Sequence, residues 1–354
     1  MLLSENVKKS YEAFWNHEAN GRACLYLVAP KDDQDHLPMP EDITDRWENL
    51  EILKKLAFHE IENTTYFADA FPSYFINFGP GCFTAMIGGS YRLAPHTVWF
   101  ENEPFFIQNF NKLPAFRLNK ESPMYQLVDR FTEEFLRSGH DKVITSITDI
   151  GGTYDILAAL RGTQNLLMDL YDSPMEVKKA VHSIQVLWKE YYQYYEQLLL
   201  TRQGGMSSWM PIYSEKGYYP LQCDFSAMIS PDMFKEFVLP DLQYQTEYLE
   251  RSIYHLDGPG EVPHLDHILS LPRLSAIQWT PGDGAASLTD ECWYELYQRI
   301  QVAGKSLVLL GCEPEGCEKL LKHISTKGLY ISCYADDEQE AKEIECLFDA
   351  VGVK

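Results

Sequence analysis

The sequence predicts an α/β fold, a decorated (β/α)8 TIM barrel formed by a single domain over residues 1–354. The C-terminal half alternates short apolar runs with helix-like segments, which is the pattern of βα units around a parallel sheet. The 354 residues, 45% of them hydrophobic, suffice for one large domain of this kind. A doubly wound open sheet is the alternative, but the Gly-x-Gly-x-x-Gly fingerprint of a dinucleotide fold is absent from the sequence.

The individual helices and strands are predicted from the spacing of apolar residues and from residues that begin or end helices and strands. A strand at 142–148 precedes a glycine loop and a helix at 154–160. Pro174 fits the first position of a long helix that should reach about Thr201, with Ser173 and Glu176 forming a capping box. Further strands are expected at 207–211, 219–222, 252–256, 275–279, 306–310 and 329–332, with helices near 231–251, 288–303, 314–325 and 337–348. Residues 1–140 are expected to add a cap, loops and the first strands, with candidates at 64–68 and 97–100.

Composition excludes several classes of function. A net charge of −22 argues against a nucleic-acid or anionic-membrane surface, because phosphate contacts would have to overcome like-charge repulsion. The sequence has no run of 18 apolar residues and no signal-peptide order at its start, so we expect a soluble, cytoplasmic protein. The eight cysteines include no Cys-x-x-Cys pair, which argues against a disulfide framework or a zinc ribbon.

Residues just after the strands of a parallel barrel gather at its carboxyl end, where sites are built. If 252–256 is a strand, His255 and Asp257 point to the same face and can converge on one ion. Imidazole, carboxylate and thiolate together suit zinc better than magnesium or calcium. The alternative is a strand end with an N-capping aspartate, and cysteines that are small buried hydrophobes. The rule selects these candidates: Asp69, Asp149, Cys223, Asp224, His255, Asp257, Trp279, Asp283, Cys312, Glu313, Cys333 and Asp336. Asp283 and Asp336 are expected to be N-caps of the helices that follow them.

Three segments carry a resemblance to a known family. They are Thr148–Gly152 with Leu160–Gly162, Gln222–Phe225 before Ile229–Phe234, and His255–Gly258. In this order they resemble the uroporphyrinogen decarboxylase superfamily, which also holds zinc-containing methyltransferases of corrinoid-dependent systems. The resemblance covers roughly residues 140 to 350. The Met-Arg-Gln-Ala-Gly-Arg segment of the true decarboxylases is absent, so the resemblance favours the methyltransferase branch.

That branch holds zinc with His-x-Cys after one strand and a Cys after the last strand. His255 matches the histidine, and Cys333 lies 78 residues later, where the distant cysteine belongs. Asp257 replaces the first family cysteine, and Cys312 is the candidate for a second thiolate. The resemblance therefore implies a zinc site formed by His255, Asp257, Cys312 and Cys333.

The resemblance also implies a reaction. With fewer thiolates the zinc is a stronger Lewis acid, which favours demethylation of an aromatic methyl ether, with the methyl group passing to a corrinoid on a carrier protein. The open alternatives are a methylcobamide:thiol methyltransferase, a decarboxylase-like lyase and a tetrapyrrole-binding protein. Barrels of this superfamily often pair, so a homodimer is possible.

The remaining candidates receive roles by residue type. Asp149 and Asp224 are expected to orient the substrate or accept a proton, and Glu313 to accept a hydrogen bond from a metal ligand. The residues expected to bind the small-molecule methyl donor are Asp69, Trp209, Tyr213 and Trp279. The alternative for the aromatic residues is ordinary packing, and for Glu313 a solvated carboxylate at a helix start.

Overall fold

The computed structural model describes residues 3–31, 37–101 and 103–353. Its strands are β1 Cys24–Pro30, β2 Thr64–Ala68, β3 Ser73–Phe75, β4 Arg92–Leu93, β5 Val98–Trp99, β6 Ile144–Ser146, β7 Tyr218–Leu221, β8 Arg251–Asp257, β9 Ala276–Thr280, β10 Ser306–Leu309 and β11 Leu329–Tyr334. Its α-helices are α1 Glu5–Trp15, α2 Ile43–Glu48, α3 Leu50–Glu62, α4 Phe83–Met86, α5 Pro123–Ser138, α6 Thr153–Arg161, α7 Thr163–Asp172, α8 Pro174–Gln203, α9 Pro231–Met233, α10 Leu239–Tyr248, α11 Leu265–Leu269, α12 Tyr294–Val302, α13 Pro314–His323 and α14 Glu338–Val351. Short 3₁₀ turns lie at Phe110–Lys112, Asp224–Met228, Val262–His264 and Glu291–Trp293, and a π turn at Phe234–Val238 joins α9 to α10.

The centre of the protein is a mostly parallel seven-stranded sheet in the order β2-β1-β11-β10-β9-β8-β7. Six of its strands are parallel, and β2 pairs antiparallel with β1. The order rises by one from β7 to β11 and then returns to β1. Right-handed crossovers that all move in the same direction along a sheet place their helices on one face. In a doubly wound sheet the strand order reverses direction, so this sheet is not doubly wound.

The predicted closed barrel is not formed within the described residues. β3 and β6 pair in parallel as a separate two-stranded sheet, so the hydrogen-bonded ladder does not run around from β2 to β7. The segment 207–211, predicted as a strand, makes no ladder. The bridge between Met206 and Ser214 flanks this segment, and the carbonyl of Ser207 accepts the N–H of Ile147. Pro211 has no N–H to donate, which is one reason that a strand does not continue there.

Elsewhere in the C-terminal half the predicted elements are present with small shifts of their ends. The predicted long helix is α8, which begins at Pro174 and reaches Gln203, although the Ser173 side chain makes no capping hydrogen bond. In the N-terminal part, 64–68 is indeed a strand, but an antiparallel one, and 98–99 belongs to a small hairpin with β4. None of the described helices combines the length and the apolar character that crossing a membrane requires.

The helix α8 supplies a buried aromatic layer that fixes the loop after β6. Trp188, Tyr191, Tyr192 and Tyr195 are each at most 1% exposed. The Trp188 indole Nε1 donates a hydrogen bond of 3.0 Å to the carbonyl of Gly151. Since Gly151 follows β6 by only a few residues, α8 holds that carboxyl-end loop in place.

Asp241 of α10 is a buried carboxyl that should make stability depend on pH. It is 4% exposed, accepts a hydrogen bond from Gln185 of α8, and burial raises its pKa to about 7. The folded state thus holds a proton that the unfolded chain releases near pH 4. We expect this contribution to be present below about pH 4 and lost as the pH rises to about 7, at about 1.4 kcal/mol per pH unit.

Asp241→Asn should remove that part of the pH dependence while keeping the hydrogen bond from Gln185. Urea unfolding at several pH values checks this against Asp232→Asn, an exposed carboxylate at the start of α9. Parallel curves for wild type and Asp241→Asn would contradict the expectation.

Candidate metal centre

Three side chains converge at the carboxyl edge of the sheet. One ligand atom from each of Asp224, His255 and Asp257 lies within 4.8 Å of the others. His255 and Asp257 are alternate residues of β8 and so point to the same face. Asp224 begins the 3₁₀ turn after β7, which is the parallel neighbour of β8. Adjacent strand ends therefore bring together two carboxylates and one imidazole.

The imidazole of His255 is oriented by a neighbour on β9. Gln278 is paired in register with His255, and its Oε1 is hydrogen-bonded to His255 Nδ1. Gln278 Nε2 donates to Thr280 Oγ1 at 2.7 Å, which fixes the amide with its oxygen towards the histidine. His255 Nδ1 is then the donor, and Nε2 keeps a free lone pair. A histidine that gives its other N–H to a carbonyl oxygen is the usual arrangement around a protein-bound metal.

Asp155 holds the turn that carries Asp224. Its two carboxylate oxygens accept the backbone N–H groups of Asp224 and Phe225, at 3.2 and 2.8 Å. Burial, followed by the charge of Asp224, raises the pKa of Asp155. A Cβ at Gly152 would lie 2.2 Å from the carbonyl oxygen of Gln222, so only glycine allows this close approach.

Glu261 stabilises the end of β8 by hydrogen bonds. It is fully buried, and its Oε2 accepts hydrogen bonds of 3.3 Å from the Tyr254 hydroxyl and the Asp257 N–H. Its Oε1 has no hydrogen-bond partner among the described residues. Burial, and then the charge of Asp224, raises the pKa of Glu261 to about 9. The carboxyl is therefore neutral at pH 7 and adds no further negative charge to the group.

Asp149 and Trp209 also lie at this site. Asp149 is 8% exposed, and its Oδ1 accepts hydrogen bonds from Gly151 N–H at 2.8 Å and Tyr219 hydroxyl at 2.9 Å. Burial, and to a lesser extent the charge of Asp224, raises the pKa of Asp149. The Trp209 ring meets the His255 ring edge to face, with centroids 5.1 Å apart.

A cavity of about 870 Å³ extends from Trp209. Its wall includes the end of β1, the end of β11, and residues of the N-terminal 140 that cover them. The Phe, Trp and Tyr side chains in the wall are Tyr26, Trp47, Tyr66, Tyr74, Phe75, Trp209 and Tyr334. Trp209 is the lining residue that contacts His255, and none of Asp224, His255 and Asp257 lines the cavity itself. A cavity of this size with an aromatic wall can hold a small organic molecule against Trp209.

Asp69 was predicted to bind substrate, but it lies at the opposite edge of the sheet. Because β2 is antiparallel to β1, the residue after β2 sits beside the start of β1, where Asp69 N–H donates to the carbonyl of Leu25. Asp69 is fully buried, and its Oδ2 is 2.5 Å from Arg22 Nη1. The structure gives it a structural ion pair instead.

Tyr213 and Trp279 were predicted at the barrel mouth and also lie elsewhere. Tyr213 is 3% exposed, packs against Tyr11 of α1, and donates to the carbonyl of Gly204 at 3.1 Å. Trp279 is fully buried against Trp293, which precedes α12, with ring centroids 5.0 Å apart. Side chains alternate along β9, so Gln278 rather than Trp279 faces His255.

The predicted thiol ligands form a group of their own. Cys333 Sγ is 3.8 Å from Cys317 Sγ of α13, and no three of the four predicted ligands, His255, Asp257, Cys312 and Cys333, meet within 4.8 Å in the described part of the chain. The neighbouring β11 residue Tyr334 lines the cavity, so alternation turns Cys333 towards α13.

Glu313 does not lie in the Asp224, His255 and Asp257 group either. It is exposed at the start of α13, and its side chain makes no capping hydrogen bond. Its backbone carbonyl accepts a hydrogen bond of 3.4 Å from the Cys317 thiol.

The donor set that does converge fits a catalytic metal site. One imidazole and two carboxylates, with the imidazole held by a hydrogen bond, match the three protein ligands that catalytic zinc uses while it keeps a further position open. Sequence reasoning named all three residues but gave Asp224 a different role. It missed Gln278, Asp155 and Glu261, which position them.

Replacing Gln278 with leucine should weaken metal binding without removing a ligand. Gln278 is 1% exposed and holds the ring of His255 in the orientation described above. Loss of such a partner typically costs about 10- to 100-fold in metal affinity. Zinc affinity measured by competition with a chromophoric chelator checks this, with Gln222→Leu, a buried glutamine at the end of β7, as the control. Equal affinities for Gln278→Leu and wild type would contradict the assignment.

Comparison with known proteins gives a likeness to a solved structure. No protein-family model matches the chain, and no curated protein matches it. Among solved structures, a methyltransferase from Methanosarcina mazei matches with a TM-score of 0.61 at 12% sequence identity. The match covers 97% of this chain and 98% of that chain. At this identity the likeness shows that the two chains share a fold.

Proposed function

We propose that this protein is a metal-dependent methyltransferase that demethylates an aromatic methyl ether in a corrinoid-linked reaction. The observation that carries the proposal is the convergence of Asp224, His255 and Asp257, with His255 oriented by Gln278. The position of this group at the carboxyl edge of the sheet supports it, because sites of parallel α/β folds are built there. The shared fold with a methyltransferase is compatible with the same class of reaction.

Zinc is the metal that we propose for the site. Asp224, His255 and Asp257 would hold it, and the thiols of Cys312 and Cys333 would not contribute. When bound, zinc supplies a Lewis acid that polarises a substrate oxygen. The two carboxylates balance its charge, while neutral Glu261 maintains the backbone of Asp257 without adding to that charge.

The other residues bind and orient the substrate. In this proposal the aromatic wall of the cavity stacks on the ring of the methyl ether, and the ether oxygen points past Trp209 towards the metal group, because Trp209 lines the cavity and contacts His255. Trp209 Nε1 has no partner among the described residues and is free to donate to a substituent on the ring. Enclosure in the cavity excludes water and holds the ether oxygen in one position.

Departure of the methyl group leaves a phenolate oxygen. Asp149 lies beside the group, and burial raises its pKa, so it is suited to hold a proton near that oxygen. A reduced corrinoid on a separate carrier protein would supply the nucleophile that takes the methyl group.

The test combines metal content with turnover. Dialysed protein should carry close to one zinc that depends on His255, and it should convert a methoxyphenol and cob(I)alamin into the phenol and methylcobalamin. Methylcobalamin is followed by its absorbance, in the presence of zinc or of EDTA. Methyl transfer that proceeds equally well in EDTA, or in His255→Ala, would overturn the metal-dependent reaction. Release of carbon dioxide from porphyrinogen substrates would favour the lyase instead.

A further inference from the structure

Three cysteines form a buried cluster that is separate from the His255 site. Cys312 follows β10, Cys317 lies in the first half of α13, and Cys333 is on β11. Their side chains are 2%, 0% and 0% exposed. We call these three residues the thiol cluster. Because Cys333 faces α13 and the neighbouring Tyr334 faces the cavity, the cluster lies on the helix side of the sheet.

The spacing of the thiols is that of metal ligands. Cys317 Sγ and Cys333 Sγ are 3.8 Å apart. Zinc–sulfur bonds of about 2.3 Å in a tetrahedron place two sulfurs at about 3.8 Å, so this pair already has the separation of two ligands of one ion. Cys312 is near enough to Cys317 to act on its thiol, but in the described part of the chain the three sulfurs do not all lie within 4.8 Å of one another. The closely spaced pair is therefore Cys317 and Cys333.

The backbone fixes the elements that carry these sulfurs. The N–H of Cys312 donates to the carbonyl of Ser332, and the N–H of Gly311 donates to Ser332 Oγ, both at 2.8 Å. The loop after β10 is thus bonded directly to the strand of Cys333. On the helix side, a Cβ at Gly316 would lie 1.8 Å from Thr289 Oγ1, so α13 is closely packed where it presents Cys317.

The electrostatics of the cluster favour a cation. The carboxylates that act on its thiols are Glu315 on Cys317, Glu313 on Cys312 and Glu340 on Cys333. Negative charge around the thiols attracts a positive ion and opposes the binding of an anion.

We propose that the thiol cluster is a second metal site, which takes a thiophilic d10 cation such as zinc or copper(I). Binding forms metal–sulfur bonds to Cys317 and Cys333, and Cys312 would have to move closer to add a third bond. The thiols that are protonated in the free protein release their protons to solvent. This site does not depend on the function proposed above, since it shares no residue with the Asp224, His255 and Asp257 group.

The experiment uses cadmium as the probe, because thiolate ligands give it a sulfur-to-metal charge-transfer band in the ultraviolet. The starting protein is the full chain with Cys292→Ser and Cys346→Ser, which removes its two exposed thiols. One equivalent of Cd²⁺ should saturate the band under anaerobic conditions. Adding Cys317→Ser should remove most of its amplitude, and adding His255→Ala should leave it unchanged.

Several outcomes decide the proposal. A band that is absent, or that Cys317→Ser leaves intact, would overturn it. If Cys317→Ser does not fold, X-ray absorption of Cd²⁺ bound to the unaltered protein decides the matter. Two or three sulfur neighbours would support the site, and oxygen and nitrogen neighbours alone would refute it. Failure of methyl transfer with an intact cadmium band would affect only the proposed function.

Discussion

His255→Ala is expected to lower the zinc affinity of the Asp224, His255 and Asp257 group by more than about 100-fold, because it removes a ligand. Loss of a partner that only orients a ligand lowers metal affinity by about 10- to 100-fold. His255 gives the group its one nitrogen donor, and its Nδ1 is already committed to Gln278. The two remaining carboxylates are a poor zinc site without it. Isothermal titration of the apoprotein with Zn²⁺ measures the change.

The controls separate this site from the thiol cluster. His182→Ala removes an exposed histidine of α8 and should keep full affinity. Cys333→Ala should also keep zinc at the His255 site, although it should lose the ion of the thiol cluster. Far-UV circular dichroism establishes that each variant is folded. Unchanged zinc binding in His255→Ala would refute the site, and loss of all zinc in Cys333→Ala would restore the thiol ligands implied by the resemblance.

The placement of His255 and Asp257 could be predicted because it depends only on local sequence. A strand over 252–256 puts alternate residues on one face, and β8 spans Arg251–Asp257. The contacts that orient the group depend instead on the register between strands and on distant loops. Asp155, for example, reaches Asp224 across 69 positions. A signal for Gln278 did exist, since it is a polar side chain in the middle of the buried strand Ala276–Thr280.

The same argument explains the errors at Trp279 and Cys333. Each stands at a strand end, as the rule for parallel barrels requires, but on the face that packs against helices. A shift of one residue reverses the face of a strand, and a boundary read from sequence is not accurate to one residue. His255 and Asp257 avoided this problem because they are two positions apart, so they share a face wherever the strand boundary is drawn.

The parallel, C-terminal part of the fold was predictable because each unit carries its own apolar run and helix signals. The N-terminal part was not. Its strands β3, β4 and β5 have two or three residues each, too few for periodicity to show. The direction of β2 is set by pairing with β1 and by no local signal, and this is why Asp69 was placed at the wrong edge. Closure of the sheet depends equally on pairing between segments distant in sequence.

Arg22→Met is expected to cost about 3–5 kcal/mol of unfolding free energy, because it leaves the buried carboxylate of Asp69 without its partner. Arg22 Nη1 lies 2.5 Å from Asp69 Oδ2, and the side chains are 13% and 0% exposed. The Leu25 N–H, at 3.0 Å from the same oxygen, is one neutral donor left to that carboxylate. Urea unfolding, with the slope of the transition unchanged, measures the loss.

The Arg22 prediction also decides what Asp69 does. Arg299→Met breaks an ion pair with Asp266 whose side chains are 43% and 85% exposed, so it should cost no more than about 1 kcal/mol. Adding Asp69→Asn to Arg22→Met should recover part of the stability, since it removes the buried charge. Zinc affinity should stay at the wild-type value in all three variants, because Asp69 lies at the amino edge and the metal group at the carboxyl edge. A stable Arg22→Met variant with weakened substrate or metal binding would instead return Asp69 to the functional site.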